Sequence, residues 1–364
     1  MERLSVADCD GHLVESITEL AEYMEPSIRE VALNPSRNRQ GVFPSLDGYH
    51  YPSSHEGESQ DHGAKVRASD FRAGSGEDIA VFLEKANVEQ SVVFPSEGLS
   101  AGNIGLADYA VKLCRAYNDY VADRYARVSD RVRPMALVPM QDPPAAVQEL
   151  RRAVKELGLP GAMLPSTGLP LHLGHELYWP VYEEAANLQC ALGVHGGANV
   201  GIGRLGTFSN RLGARLLWHP VPLMEALVSF VYHGLFDRYP DLHVAFLEGG
   251  CAWTIPVFDR MTRDGQYYPN AKRRLPDYLA SGQILVGCEG NDESLGYLAK
   301  IVGIDAFAWA SDYPHEVDLP GAQAQIAQTW DRPDLTEDQK RAVLGENARR
   351  FFRLPKLAPA AAAA

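Results

Sequence analysis

The sequence predicts an α/β fold, a closed (β/α)8 barrel forming one domain over residues 1–355 of the 364 present. Three observations lead there. Eight short β-rich runs recur along the chain, helix-period segments separate them, and the first run is not followed by the G-x-G-x-x-G turn that an open doubly wound sheet would want. In order, the runs are Leu4–Ala7, Glu89–Phe94, Pro134–Val138, Gly161–Leu164, Ala191–His195, His243–Glu248, Gln283–Gly287 and Ala306–Ala310. Between them, 145–157 places Val147, Leu150, Val154 and Leu157 on one helical stripe. Segments 178–188, 221–238 and 293–302 behave alike. Two stretches break the rhythm. Residues 35–76 are polar and rich in Gly, Ser, Pro and His, and read as an insertion after the first strand–helix unit that covers the site as a lid. Its histidines, His50, His55 and His62, have no regular ligand spacing. Residues 196–220, with Asn199, Asn210 and Trp218, read as a loop that walls the pocket. The Pro/Ala-rich residues 356–364 read as a disordered tail.

Composition narrows the class. Hydrophobic residues make up 46% and charged residues 22%, an ordinary balance for a chain with a sizeable core. A formal net charge of -13 argues against nucleic-acid and anionic-membrane partners, both of which demand basic patches. The five cysteines are scattered without C-x-x-C spacing and read as reduced thiols of a cytoplasmic protein. Residues 1–4 show no charged segment leading into an apolar one, so no signal peptide is expected. No apolar stretch approaches the ~20 residues of a membrane helix.

In a barrel of this kind, chemistry sits at the C-terminal ends of the strands. The first run stops at Asp8-Cys9-Asp10-Gly11-His12. Side chains at i and i+2 of a strand share a face, so Asp10 and His12 converge, while Cys9 faces away. Later runs end in His195-Gly196-Gly197, Glu248-Gly249-Gly250, Cys288-Glu289 and Ser311-Asp312-Tyr313-Pro314-His315. A buried strand has no packing reason to finish in a charge followed by paired glycines, and glycines let backbone and ligand approach closely. Each residue has a plainer reading: His195 as a core imidazole, Glu248 as an ion-pair partner of Arg260, Asp312 as a helix cap. Their joint placement favours a site. Asp10, His12, His195 and Asp312 offer two carboxylates and two imidazoles, a set suited to one divalent ion, Zn²⁺ first and Mn²⁺ or Fe²⁺ as alternatives. Such an ion acidifies water or polarises a carbonyl or phenolic oxygen. Asp312, Glu248 and His195 are the expected catalytic groups, the carboxylates moving the proton.

These motifs resemble the amidohydrolase superfamily, in the branch that includes aminocarboxymuconate-semialdehyde decarboxylase and the γ-resorcylate and 5-carboxyvanillate decarboxylases. The family's opening D-x-H-x-H falls on Asp8 to His12, with Asp10 in place of the first histidine. Its later histidine and aspartate fall on His195 and Asp312. The run Phe236 to Leu242 is similar to the family's approach to the sixth strand, and Leu344 to Phe352 to its terminal helix. Glu248 stands where many members carry a catalytic histidine. The resemblance implies that Arg260, a dozen residues on, grips a substrate carboxylate, and that His315 and His175 face the pocket. It also implies a homodimer.

Two reactions follow for a small-molecule substrate. The leading expectation is hydrolysis of a small aromatic or cyclic amide, lactone or related carbonyl by a metal-activated water. The alternative is non-oxidative decarboxylation of a hydroxylated aromatic or muconate-like acid. A barrel that binds ligands without catalysis is disfavoured by the presence of the ligand set.

Overall fold

The computed structural model describes residues 4–34, 41–44, 74–197, 208, 211–315 and 317–357. Most of the 35–76 insertion, the loop tip with Asn199 and Asn210, and the tail beyond Leu357 lie outside the described residues, and so does the lid reading. The described chain folds as a (β/α)8 barrel. Its strands are β1 (Ala7–Leu13), β2 (Gln90–Pro95), β3 (Val132–Pro134), β4 (Ala136–Leu137), β5 (Gly161–Pro165), β6 (Ala191–His195), β7 (His243–Leu247), β8 (Ile284–Cys288) and β9 (Phe307–Trp309). All neighbours pair in parallel, β1 to β3 in one run and β4 to β9 in the next. β3 and β4 are two halves of the third barrel strand, interrupted at Met135, whose N–H still donates to Val93 O at 2.9 Å. The ring closes between the last strand end and the first: Asp312 N donates to Asp10 O at 2.9 Å and His12 N to Tyr313 O at 2.7 Å.

Parallel strands covered on both faces read as near-continuous apolar runs, which is why all eight are visible in the sequence. Where the structure departs from expectation, the causes are local. The first strand is not Leu4–Ala7 but runs through the whole Asp8–His12 motif, because ring closure gives those residues backbone partners on both sides. The 221–238 helix is two, Pro220–Tyr232 and Leu235–Arg238, broken where Gly234 takes φ +69°. On the helix Pro143–Lys155 the face against the barrel is Ala146, Leu150 and Ala153, and Val147, Val154 and Leu157 only flank it. Within 196–220, residues Arg211–Trp218 form a helix rather than a loop. All five cysteines are buried and unpaired. No described helix is long and apolar enough to cross a membrane.

Candidate active site and metal centre

The first strand splits its three polar residues between two tasks. Register with β2 shifts between Asp8 and Gly11. Asp8 turns to the wall, where its carboxylate accepts from Ser91 Oγ (2.7 Å), Ser311 Oγ (2.7 Å), Ser311 N (2.9 Å) and Asp10 N (3.1 Å). It ties the first two barrel strands, near their starts, to the segment that follows the last one. Burial pushes its carboxyl up to about 6 in spite of those bonds. Cys9 also faces outward, its thiol 3.5 Å from Ala308 O.

Asp10 and His12 point the other way, into the barrel mouth. His12 Nδ1 lies 3.0 Å from Pro95 O, and because a carbonyl only accepts, Nδ1 carries the proton and Nε2 presents a lone pair. Burial, with the charges of His315 and His195, holds His12 well below the usual histidine range, so the ring is neutral. Its Nε2 faces three carboxylates: Asp312 Oδ1 at 3.5 Å, Glu248 Oε2 at 3.5 Å and Asp10 Oδ1 at 3.8 Å. His195 repeats the design. Nδ1 bonds Gly196 O, and Nε2 lies 3.0 Å from Asp10 Oδ1 and 3.6 Å from Glu248 Oε2. Burial opposes a charge on His195, but Asp10 beside it outweighs burial and raises it. Burial in turn raises Asp10, against the pull of His195.

This set fits a divalent ion. Asp10 Oδ2, His12 Nε2 and Asp312 Oδ1 are buried and have no hydrogen-bond partner. A lone pair facing carboxylate oxygens without a proton between them is repulsive, and buried polar atoms left so are costly. A shared cation resolves every one of these contacts. Ligand bonds of ~2.0–2.2 Å to one centre also put neighbouring donors about 3–3.6 Å apart, close to the spacing found. Both imidazoles are steadied through Nδ1 by a backbone carbonyl, the support that metal-binding histidines use.

Two carboxylates enter the cluster from strand ends in a left-handed backbone, Glu248 at φ +73° and Asp312 at φ +54°. That conformation costs a non-glycine residue about 1–2 kcal/mol, and such strain gathers at functional sites. Gly196 makes the approach possible: a Cβ there would lie 2.7 Å from His219 Nδ1 and 3.1 Å from Glu248 Cβ. Asp312 does not cap the following helix, whose cap is Asp318. His315 lies beside these residues, its ring stacked on His12 at 3.9 Å, Nδ1 3.0 Å from Asp312 Oδ1 and Nε2 2.8 Å from Ser96 Oγ. The cleft above holds about 290 Å³, near the lower limit of ~300 Å³ typical of ligand sites. Asp10, Glu248 and Asp312 form its floor, Leu216, His219 and Pro220 one wall, and Glu289, Asn291 and Asp292 another.

Two expected residues stay apart. Arg260 sits on the helix Thr254–Asp264 with its side chain 69% exposed and its guanidinium 3.6 Å from Asp264, so it partners neither Glu248 nor the cluster. Helix rotation, which spacing along the chain does not reveal, turns it outward. His175 caps the turn Glu176–Tyr178, its Nδ1 accepting from Leu177 N, and its ring lies beside His172. Two residues were missed. His219 brings Nε2 to 4.0 Å from Glu248 Oε1, and its only signal is its place at the end of the expected pocket-wall segment. Glu15, two residues past β1, is buried and accepts from the backbone N–H groups of Ser96, Glu97 and Gly98, fixing the turn that carries Ser96.

Comparison with known proteins gives the family. The amidohydrolase family model (type 2) matches residues 7–354. The γ-resorcylate decarboxylase of a Polaromonas species is 27% identical over 267 residues, spanning 67% of this chain and 77% of its own. The 2-amino-3-carboxymuconate-6-semialdehyde decarboxylase of Dictyostelium discoideum is 27% identical over 258 residues, 67% of each chain. In structure, the 5-carboxyvanillate decarboxylase of Novosphingobium aromaticivorans, solved with manganese and 4-hydroxy-3-methoxy-5-nitrobenzoic acid, superposes with a TM-score of 0.70 over 97% of both chains at 17% identity, a likeness of fold. With a closed parallel barrel and a family match over nearly its full length, the chain belongs to the amidohydrolase family.

Proposed function

We propose that this protein is a metal-dependent, non-oxidative decarboxylase of a small hydroxylated aromatic acid. The observation that carries the reading is the pair of imidazoles, His12 and His195, each held through Nδ1 and each turning Nε2 toward buried carboxylates. Related chains of known activity add the reaction class: both curated relatives named above are decarboxylases. They favour the carboxy-lyase alternative over hydrolysis, for which they offer no support.

Asp10, His12 and His195, with a further carboxylate from Asp312 or Glu248, would hold the ion, Mn²⁺ or Zn²⁺. Bound there, the ion supplies a Lewis acid for the substrate carboxylate or a neighbouring phenolic oxygen. Decarboxylation breaks the bond between ring carbon and carboxylate, leaves the electron pair on the ring and releases CO₂, and a proton must then reach that carbon. Where Glu248 rather than Asp312 completes the ligand set, Asp312, its Oδ1 3.0 Å from His315 Nδ1, would hold and deliver it. Leu216 and Pro220 offer apolar surface to the ring and help to exclude water.

The test is incubation of the Mn²⁺-supplemented protein with a panel of hydroxybenzoic acids, following CO₂ and the phenol product by chromatography. Stoichiometric CO₂ and phenol support the reading. Turnover of amides or lactones with no CO₂ from any acid would sink it.

A further inference from the structure

We infer that Glu248 is itself a ligand of the divalent ion, and that this extra carboxylate tilts the site toward Mn²⁺ over Zn²⁺. The inference rests on the metal-dependent reading above. The sequence puts Glu248 among the proton-moving groups, but its position is that of a donor. Oε2 lies 3.5 Å from His12 Nε2 and 3.6 Å from His195 Nε2. Ligand atoms of Asp10, His12, His195 and Glu248 all fall within 4.8 Å of one another. Asp312 is not in that set. It groups with His12, Glu248 and His315. Glu248 and His12 are therefore the two residues common to both groupings, and Asp312 stands on the His315 side.

Orientation argues the same way. His12 commits its Nδ1 proton to a carbonyl, so an oxygen aimed at its Nε2 meets a lone pair unless a cation intervenes, and the same Glu248 oxygen lies 3.6 Å from His195 Nε2. The left-handed backbone at Glu248 and the missing Cβ at Gly196 aim the carboxylate inward, leaving it 12% exposed. With Glu248, the donors are two carboxylates and two imidazoles before Asp312 contributes, and three carboxylates after. Oxygen-rich sets of more than four donors suit Mn²⁺, whereas Zn²⁺ is at home with four tetrahedral donors richer in nitrogen or sulfur.

The experiment uses the full chain, stripped by chelator and titrated with Mn²⁺ or Zn²⁺ alone against a competing indicator, as wild type, Glu248→Gln and Glu248→His. The expected result is a loss of Mn²⁺ affinity of about tenfold or more in Glu248→Gln, and a Zn²⁺:Mn²⁺ preference in Glu248→His moved toward Zn²⁺ by a similar factor. Unchanged Mn²⁺ affinity in a Glu248→Gln protein with native circular dichroism overturns the inference and leaves the proposed function standing. A wild-type protein that binds neither ion overturns both. Should the variants fail to fold, a crystal structure of the Mn²⁺-loaded wild type decides. A Glu248 oxygen at about 2.2 Å from the ion supports ligation, and one beyond hydrogen-bond range excludes it.

Discussion

Asp10 Oδ1 lies 3.0 Å from His195 Nε2, so side chains from β1 and from β6 meet directly at the barrel mouth. Nothing in local packing requires this meeting. Each residue is 1% exposed, and each is held by the strand that carries it. In the proposed metal site this pair would form one edge, held by its two strands, and preorganisation of this kind raises affinity.

It follows that the purified protein should carry about one divalent ion per chain, measurable by inductively coupled plasma mass spectrometry. His195→Ala and Asp10→Asn should lose it. Chelation should abolish turnover, and added Mn²⁺ should restore it. A wild-type protein with full activity after exhaustive chelation would contradict the assignment.

Asp312 makes a sharper case, because its side chain faces the cluster while its backbone serves the fold. Oδ1 faces His12 and His315 and has no hydrogen bond, while the backbone N–H helps close the barrel. Asp312→Asn keeps size and backbone but cannot accept and return a proton. The fold should survive by circular dichroism, and turnover should fall by about 10²–10⁴, the usual worth of a placed acid–base group. Wild-type rates in the variant would remove Asp312 from the mechanism.

How much of this the sequence disclosed depends on how local each signal is. The barrel was legible because strands buried on both faces are short apolar runs, and the site was legible where a run ends in a charge followed by glycine, as at His195 and Glu248. Asp8 shows the limit: its motif neighbours hinted at ligation, yet its partners are Ser91 and Ser311, residues 83 and 303 positions away. The break of the third strand at Met135 depends on partners in the neighbouring strand, and the break of the long helix on the left-handed backbone that Gly234 takes. Arg260, exposed and beside Asp264, lies away from the cluster. Its distance along the chain from Glu248 says nothing about which side of its helix faces the cleft.

Glu15 gives a pH test that reads stability rather than turnover. Burial is the leading cause that raises its carboxyl from 4.5 to about 7, against the three backbone N–H groups that favour its charge. A folded-state value above the unfolded one means that the native state binds the proton more tightly. Its contribution is therefore full below about pH 4.5 and is lost as pH rises toward 7. The shift corresponds to at most about 3 kcal/mol. Urea unfolding at pH 5 and at pH 7.5 should show a loss of stability with pH in wild type that is smaller in Glu15→Gln. Parallel pH dependence in the two proteins would rule this out.

His219 carries the last prediction. It reaches the cleft from the residue before the helix Pro220–Tyr232, its Nε2 4.0 Å from Glu248 Oε1 and in contact with the Trp218 indole N–H. It is 4.0 Å from a carboxylate, falls outside the candidate groups of ligand atoms, and its Nε2 accepts from Trp218. It stands on the wall that a bound ring would touch, where a polar imidazole can orient a phenolic or carboxylate oxygen. Removing such a group should misplace substrate without loosening metal. His219→Ala should lower kcat/KM by roughly 10–10², with metal content and Tm unchanged. His219→Asn, which keeps a hydrogen-bonding group, should recover part of the loss. A variant that loses its metal along with activity would place His219 among the ligands, and one with wild-type kinetics would reduce it to a filler of the wall.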